Sequence, residues 1–288
     1  MSGRLKTIGE VLSEAALMLK DYCENKGEDC KKIALMMVSH ILNIDKTEII
    51  LNKGLSMGQA EYEVIINAIS KYKQDYPLQY CTNKAFFMGL EFYVDENVLI
   101  PRFDTEVLVE VAIEIFKDRK NLYFLDIGTG SGCIAVALCK FLDCKVLAVD
   151  ISERALEVAR KNAKLNGVEN RISFVRSNLF EDIPKNLRFD AILSNPPYIS
   201  ESERFKLEKQ VLKEPHIALF SKENGLWFFK EIANKAKLYL KDGGYIIFEV
   251  GFSQAEEVKR ILEQNGYENI KSRKDLNNIE RCIFAING

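Results

Sequence analysis

From residue 121 onward the chain alternates apolar, strand-like runs with helical patterns, and nothing else in the sequence limits its fold as strongly. The runs occupy 122–127, 146–149, 172–175, 191–193, 245–250 and 282–286. Helical spacing of apolar residues marks 134–141, 153–166, 227–240 and 255–264 between most of them. Parallel strands need a crossover connection, and a helix usually supplies it. The pattern therefore predicts βαβ units and an α/β fold built on a mostly parallel, doubly wound sheet.

The first 75 residues show no such alternation. Thr7 and Glu10 read as a capping box ahead of Leu12, Ala15, Ala16 and Leu19. Asp29 is placed to cap a second helix carrying Ile33, Ala34, Met37, Val38 and Ile41 on one face. A short helix fits 46–52, and Ser56 with Gln59 reads as another capping box before Val64, Ile65, Ala68, Ile69 and Tyr72. Short amphipathic helices with short loops predict a small bundle. It carries 10 basic and 11 acidic residues, and it fits either a stabilising cap or a docking module for a macromolecular substrate. From Phe86 to Val94 the chain is aromatic and β-prone. A turn at Asp95-Glu96-Asn97 and the apolar Val98-Leu99-Ile100 complete the pattern of a hairpin joining two domains. Asp104 or Thr105 is expected to cap the helix that follows Pro101. The expected division is a helical domain at 1–75, a hairpin linker and helix at 76–120, and a catalytic domain at 121–288.

Composition excludes several classes. The 288 residues suit about two domains. The longest stretch without Asp, Glu, Lys or Arg is 13 residues, 127–139, short of the roughly 18 a membrane span needs. The N-terminal MSGRLKTIGE lacks the apolar core of a signal peptide. Net charge is −2, without the basic excess usual in a nucleic-acid binder. Seven cysteines with no Cys-x-x-Cys, and two histidines, suit neither a zinc site nor a disulfide framework. They are expected as reduced core residues of a cytoplasmic protein with no metal.

The first strand runs into Asp126-Ile127-Gly128-Thr129-Gly130-Ser131-Gly132, and the second ends at Asp150. Alternate glycines let the backbone turn sharply and a ligand come close. An acid at the second strand end is suited to accept from both hydroxyls of a ribose. Gly130-x-Gly132-x-x-Ala135 formally fits a loose dinucleotide fingerprint. Asp126, however, would repel a pyrophosphate, whereas it can meet the ammonium of an amino-acid-bearing ligand. A purely structural turn is a third reading. The pattern as a whole resembles the S-adenosylmethionine site of class I methyltransferases. In them the place of Ser177-Asn178-Leu179-Phe180, after the third strand, contacts the adenine, often through an aspartate. Asn178 can still accept there, or it can be a plain turn former.

Ser194-Asn195-Pro196-Pro197-Tyr198 follows the fourth strand. Two prolines fix the backbone and remove two donors. Asn195 offers a side-chain carbonyl and Pro196 a main-chain one. Two acceptors converging on one –NH2 can hold a planar amide or amine nitrogen, with its lone pair toward a methyl sulfonium. Asn195 can also touch the methionine part of the cofactor. Tyr198 can lie over the planar group and stabilise nearby positive charge. Rate then comes from positioning and charge stabilisation. The bland alternative is a strand terminator.

With these residues the chain resembles the HemK-type release-factor glutamine methyltransferases, which are protein-(glutamine-N5) methyltransferases. Leu99-Ile100-Pro101-Arg102-Phe103-Asp104-Thr105-Glu106, the glycine loop, Ala148-Val149-Asp150, the Asn195 loop and Lys213-Glu214-Pro215-His216-Ile217-Ala218-Leu219 all match family motifs in order. Phe103, Asn178, Asn83 and Lys213 depart from the family pattern. The resemblance implies a seven-stranded sheet with the last strand antiparallel, S-adenosylmethionine as methyl donor and an N-terminal domain that grips its partner. It also implies a substrate, the glutamine of the Gly-Gly-Gln motif in class 1 peptide-chain release factors. The rival is a nucleic-acid amino-methyltransferase acting on adenine-N6 or guanine-N2, which uses the same loop. The balance of 30 basic and 31 acidic residues over 76–288 argues against it. A binding module that has lost activity is the non-enzymatic rival, and the intact Asp126, Asp150 and Asn195 speak against it.

Overall fold

The computed structural model describes residues 5–288. They form two units. One runs to Lys84 and includes Glu208–Lys213; the other comprises Ala85–Leu207 and Glu214–Gly288.

The smaller unit holds α1 (Ile8–Lys26), α2 (Cys30–Leu42), α3 (Lys46–Leu51), α4 (Gln59–Tyr72) and α5 (Leu78–Thr82). Thr7 and Glu10 form both halves of the capping box, and Asp29 accepts from the Lys31 and Lys32 amides. Val11, Leu19, Met37, Ile65 and Ile69 meet in its core. The second capping box does not form. Gly58 precedes α4 without a side-chain cap, and Ser56 pairs with Thr7 in an isolated antiparallel bridge. That bridge draws Ser56 away from the helix end. The unit also reaches past the expected boundary at 75. It takes in α5 and the 208–213 segment, where the Lys213 ammonium lies 4.7 Å from the centre of the Tyr76 ring.

The hairpin and helix expected as a linker belong to the larger unit. β1 (Ala85–Phe87) and β2 (Leu90–Phe92) turn at Met88 and Gly89, whose φ values are 51° and 73°. Positive φ at both central residues matches the twist of a two-residue hairpin. The hairpin turn thus falls inside the aromatic run; 95–97 is a turn as expected, the Val98 amide donating to the Asp95 carbonyl at 3.2 Å, but it follows the hairpin, and Val98-Leu99-Ile100 is not a strand. In α6 (Phe103–Phe116) neither Asp104 nor Thr105 caps the helix. Both lie in its first turn, Asp104 paired with Arg281 at 3.0 Å and Thr105 accepting from Asn195.

The remainder runs β3 (Leu122–Ile127), α7 (Cys133–Phe141), β4 (Cys144–Asp150), α8 (Glu153–Leu165), β5 (Ile172–Arg176), β6 (Phe189–Ser194), β7 (Ile199–Ser200), α9 (His216–Leu219), β8 (Phe220–Ser221), α10 (Trp227–Ala236), β9 (Leu240–Glu249), α11 (Ala255–Gln264), β10 (Tyr267–Lys274) and β11 (Glu280–Asn287). Seven strands pair in the order β10-β11-β9-β6-β3-β4-β5, and β11 alone opposes the rest. β7 and β8 form a separate parallel pair. Helices α6 and α7 cover one face through Leu108, Phe116, Val136 and Leu138. Helices α10 and α11 cover the other through Phe229, Ile232, Val258 and Leu262.

One buried amide ties the glycine loop to the hairpin exit. Asn162 of α8 accepts from the Tyr93 amide at 2.7 Å and donates to the carbonyls of Tyr93 at 2.9 Å and Ser131 at 2.8 Å. Asn162→Ala leaves those backbone groups without partners and is expected to cost about 3 kcal/mol of unfolding free energy. Urea denaturation measures it, and a loss under about 0.5 kcal/mol, the size of an ordinary surface change, would show that the tie carries little.

Candidate active site

Parallel pairing delivers the ends of β3, β4, β6 and β9 to one edge of the sheet. Ile127 stands level with Val149 and Ser194, and Ser194 with Phe248. The Ser194 hydroxyl donates to the Ile127 carbonyl at 2.7 Å, locking two of these ends together. Above them is a cavity of about 170 Å³. Ligands of open α/β sheets bind at such carboxyl ends.

Gly128, Gly130, Asp150, Asn178, Leu179, Asn195, Pro196 and Pro197 all line this cavity. The expected cofactor end and chemical end are therefore one space. Gly128 and Gly130 adopt φ of 71° and 53°. Gly132 sits at the start of α7 with φ 79°, and a Cβ there would meet Ala159 Cβ at 3.0 Å. It serves the packing of α7 against α8 and does not line the cavity, nor do Thr129 and Ser131. Both Asp150 oxygens are oriented by backbone donors, Oδ2 by Gly130 and Oδ1 by Ser152, each at 2.9 Å. Burial raises its pKa, and those amides oppose the rise. Asn178 donates from Nδ2 to Glu181 at 2.9 Å, which leaves its oxygen to accept.

Asp126 lies beneath the loop, fully buried. Its Oδ2 accepts from the Thr129 hydroxyl at 2.6 Å, and Oδ1 has no partner among the described residues. Burial and then the nearby Asp150, against the Thr129 bond, push its pKa up to about 7. Asn195 donates from Nδ2 to the Thr105 hydroxyl at 3.1 Å, so its oxygen is the free end. Tyr198 is set back from the cavity. Its hydroxyl donates to Glu249 Oε1 at 3.4 Å, and its ring packs against the core beneath.

Sequence reasoning did not assign Val98, Ile217, Trp227 or Phe228 to the site, and they contribute to the apolar walls. Two walls are stitched by Glu214. It is buried, accepts from the Ile100 amide at 3.0 Å and pairs with Arg102. The Leu99-to-Glu106 and Glu214-Pro215 motifs are the signals that mark these walls. Phe103, one of the departures, is 80% exposed and does not touch the cavity.

The sheet and loop are those of a methyltransferase. Residues 103–265 match the family model of the methyltransferase small domain, and residues 10–82 that of the PrmC N-terminal domain. A methyltransferase structure from Pyrococcus furiosus shares the fold, with a TM-score of 0.53 and 22% identity over 70% of this chain and 91% of its own. A release factor glutamine methyltransferase of Clostridium acetobutylicum is 36% identical over 284 residues, 98% of this chain and 99% of that protein. A bifunctional methyltransferase of Rickettsia typhi is 35% identical over 92% of this chain, which spans 56% of that protein's length. The chain belongs to the release factor glutamine methyltransferase family.

The Asp126 carboxyl holds its proton more tightly folded than unfolded. It therefore stabilises the fold fully below about pH 4, and this contribution is lost as pH rises through about 7. Asp126→Asn stays neutral throughout. The thermal midpoint of wild type relative to Asp126→Asn is expected to fall between about pH 5 and about pH 8. A pH-independent difference would show that Asp126 ionises without cost.

Proposed function

We propose that this chain transfers a methyl group from S-adenosylmethionine to the side-chain amide nitrogen of the glutamine in the Gly-Gly-Gln motif of class 1 peptide-chain release factors, leaving S-adenosylhomocysteine. The observation that carries the reading is the meeting of the Gly128–Gly130–Asp150 edge and the Asn195-Pro196-Pro197 loop in one cavity. The family relationship supports the substrate.

The residues present fit the donor. Asp126 has a buried carboxylate oxygen without a partner, the kind of group an amino-acid ammonium satisfies. Asp150 is held by two amides and, as a carboxylate, keeps lone pairs for two ribose hydroxyls. The Asn178 oxygen and the Leu179 side chain suit an adenine edge and face. When bound, the donor supplies an activated methyl on a sulfonium.

The chain's own work is to present the nucleophile. An amide nitrogen is weak because its lone pair is delocalised into the carbonyl. The Asn195 oxygen and the Pro196 carbonyl, accepting one proton each, hold the nitrogen so that the lone pair can face the methyl. The Pro196-Pro197 backbone has no N–H to compete for these acceptors. Tyr198 holds the far side of the loop in place. The helical region expected at 1–75 is assigned to gripping the release factor. In support, every residue lining the cavity lies at Asn97 or beyond. No helix among the described residues is long and apolar enough to cross a membrane, and all seven cysteines are free thiols. Free thiols suit the reducing cytoplasm, and the partner in this reading is a protein rather than nucleic acid or membrane.

The direct test incubates the chain with labelled S-adenosylmethionine and a purified release factor, beside the same factor with its Gly-Gly-Gln glutamine changed to alanine. Label in the first alone is expected; equal label in both would refute the target residue. Asp150→Ala is expected to weaken cofactor binding by about 1.5–3 kcal/mol in calorimetry, and unchanged affinity would remove the ribose role. Asn195→Ala is expected to slow single-turnover methylation at saturating cofactor and release factor by about two to three orders of magnitude, with cofactor affinity little altered. A rate within about tenfold of wild type would reduce the loop to a scaffold.

A further inference from the structure

The Asn195-Pro196-Pro197-Tyr198 loop is short and stiff. Two consecutive prolines fix φ at both central positions, so a displacement at one end is passed to the other rather than absorbed between them. The entry is pinned where Ser194 pairs with Ile127 and donates to its carbonyl. What pins the exit decides where the Asn195 and Pro196 oxygens come to rest.

The exit is held by Gln254. This residue stands at the N-terminal cap of α11, where a polar side chain commonly bonds the first amides of its own helix. The Gln254 side chain makes no such bond. It turns instead to the loops around Tyr198. Its oxygen accepts from the Gly251 amide, just beyond β9, at 3.1 Å. Its nitrogen donates to the Tyr198 carbonyl at 3.0 Å and to the Asn224 carbonyl at 3.4 Å. One N–H and two carbonyls around a single amide leave it one orientation, oxygen toward Gly251 and nitrogen toward Tyr198.

The backbone is shaped to bring these groups together. Gly225 has φ 88°, and a Cβ on it would overlap the Tyr198 carbonyl oxygen and crowd Gln254 Nε2. Glu223 and Asn224, just before it, have φ of 53° and 55°, a conformation that non-glycine residues rarely take. Such strain persists where the surrounding structure over-determines it. Gly251 opens the space from the other side, since a Cβ there would meet Gln254 Oε1 at 2.8 Å and Tyr198 Cδ2 at 3.1 Å.

We propose that Gln254 is a positioning residue for methyl transfer. By donating to the Tyr198 carbonyl it fixes the exit of the stiff loop, and through the two prolines it sets where the Asn195 and Pro196 oxygens meet the target –NH2. The role in methylation rests on the function proposed above; the hold on the loop does not.

Two variants divide the bonds. Gln254→Glu keeps an acceptor for Gly251 and loses the donor to Tyr198. Gln254→Met, of similar length, loses both. In single turnover at saturating S-adenosylmethionine and release factor, rates are normalised to the cofactor sites counted by calorimetry. Both variants are expected to be slowed about 10- to 100-fold, the scale of a misplacement of about 1 Å. KM for release factor and cofactor affinity should stay within about twofold. A wild-type rate in Gln254→Glu overturns the proposal, as does a loss confined to KM, to cofactor affinity or to the number of cofactor sites. A second arm needs no substrate. It follows by 15N NMR the Asn195 side-chain amide, identified by its loss in Asn195→Asp. Its signals are expected to move in both variants, while those of the Asn162 side chain stay in place. Unmoved Asn195 signals overturn the proposal. Gln254-dependent Asn195 signals in a wild type that leaves the release factor unmethylated would defeat the function proposed above and leave the hold on the loop standing.

Discussion

In-register pairing of parallel strands is the constraint on which this protein depends. β3 is the hinge of that arrangement, flanked by β4 and β6, with β9 beyond. Because the strands run the same way, their last residues arrive together, and each strand ends on a polar group: Asp126 one residue before the end of β3, then Asp150, Ser194 and Glu249. A shift of one residue in any strand would move its polar end to the opposite face of the sheet. The Ser194 bond to Ile127 guards against that slip at the point where the two halves of the sheet part.

The sheet bears an energetic burden at this edge. Asp126 and Glu249 are both fully buried, and each keeps one oxygen without a partner among the described residues. Glu214, nearly as deeply placed, has an amide and a guanidinium to satisfy it. Unpaired buried carboxylates oppose folding, and they survive where the surrounding packing over-determines the structure. The two apolar layers on the sheet faces provide that surplus. The contrast separates a carboxylate satisfied by its neighbours from two that are not.

Much of the fold was legible in the alternation of apolar runs and helical patterns, because both strand faces of a parallel sheet are covered and the strands read as apolar blocks. The exception is β10. Its Tyr-Glu-Asn-Ile-Lys-Ser-Arg-Lys lies at the sheet edge, mostly exposed, and has no apolar block to reveal it. Local capping rules served where a helix end is free, as at Thr7 and Asp29. They failed at Ser56, which a backbone bridge ties to Thr7, and at Asp104, whose carboxylate Arg281 has claimed. Gly128, Gly130, Asp150 and Asn195 could be found because loops with unusual residue types announce themselves. Thr105 read as a helix cap, and Glu249 was swallowed by an apolar run. The bond of Thr105 to Asn195 and that of Glu249 to Tyr198 exist only once α6 and β9 are brought beside β6. Tyr198 stood out as a stacking ring, but its neighbour Glu249 draws the hydroxyl away from the cavity.

The Asn162 side chain does for Tyr93 what a neighbouring strand would do. It reads both the N–H and the C=O of one residue, as a peptide group does across a ladder. A helix thereby offers one rung of sheet to a segment with no strand beside it. Only an amide carries donor and acceptor in that arrangement; a carboxylate of the same shape presents acceptors to a carbonyl. Since the same amide also holds Ser131, the exit of the hairpin and the start of the glycine loop have a common latch. Loss of that one side chain would therefore release both at once.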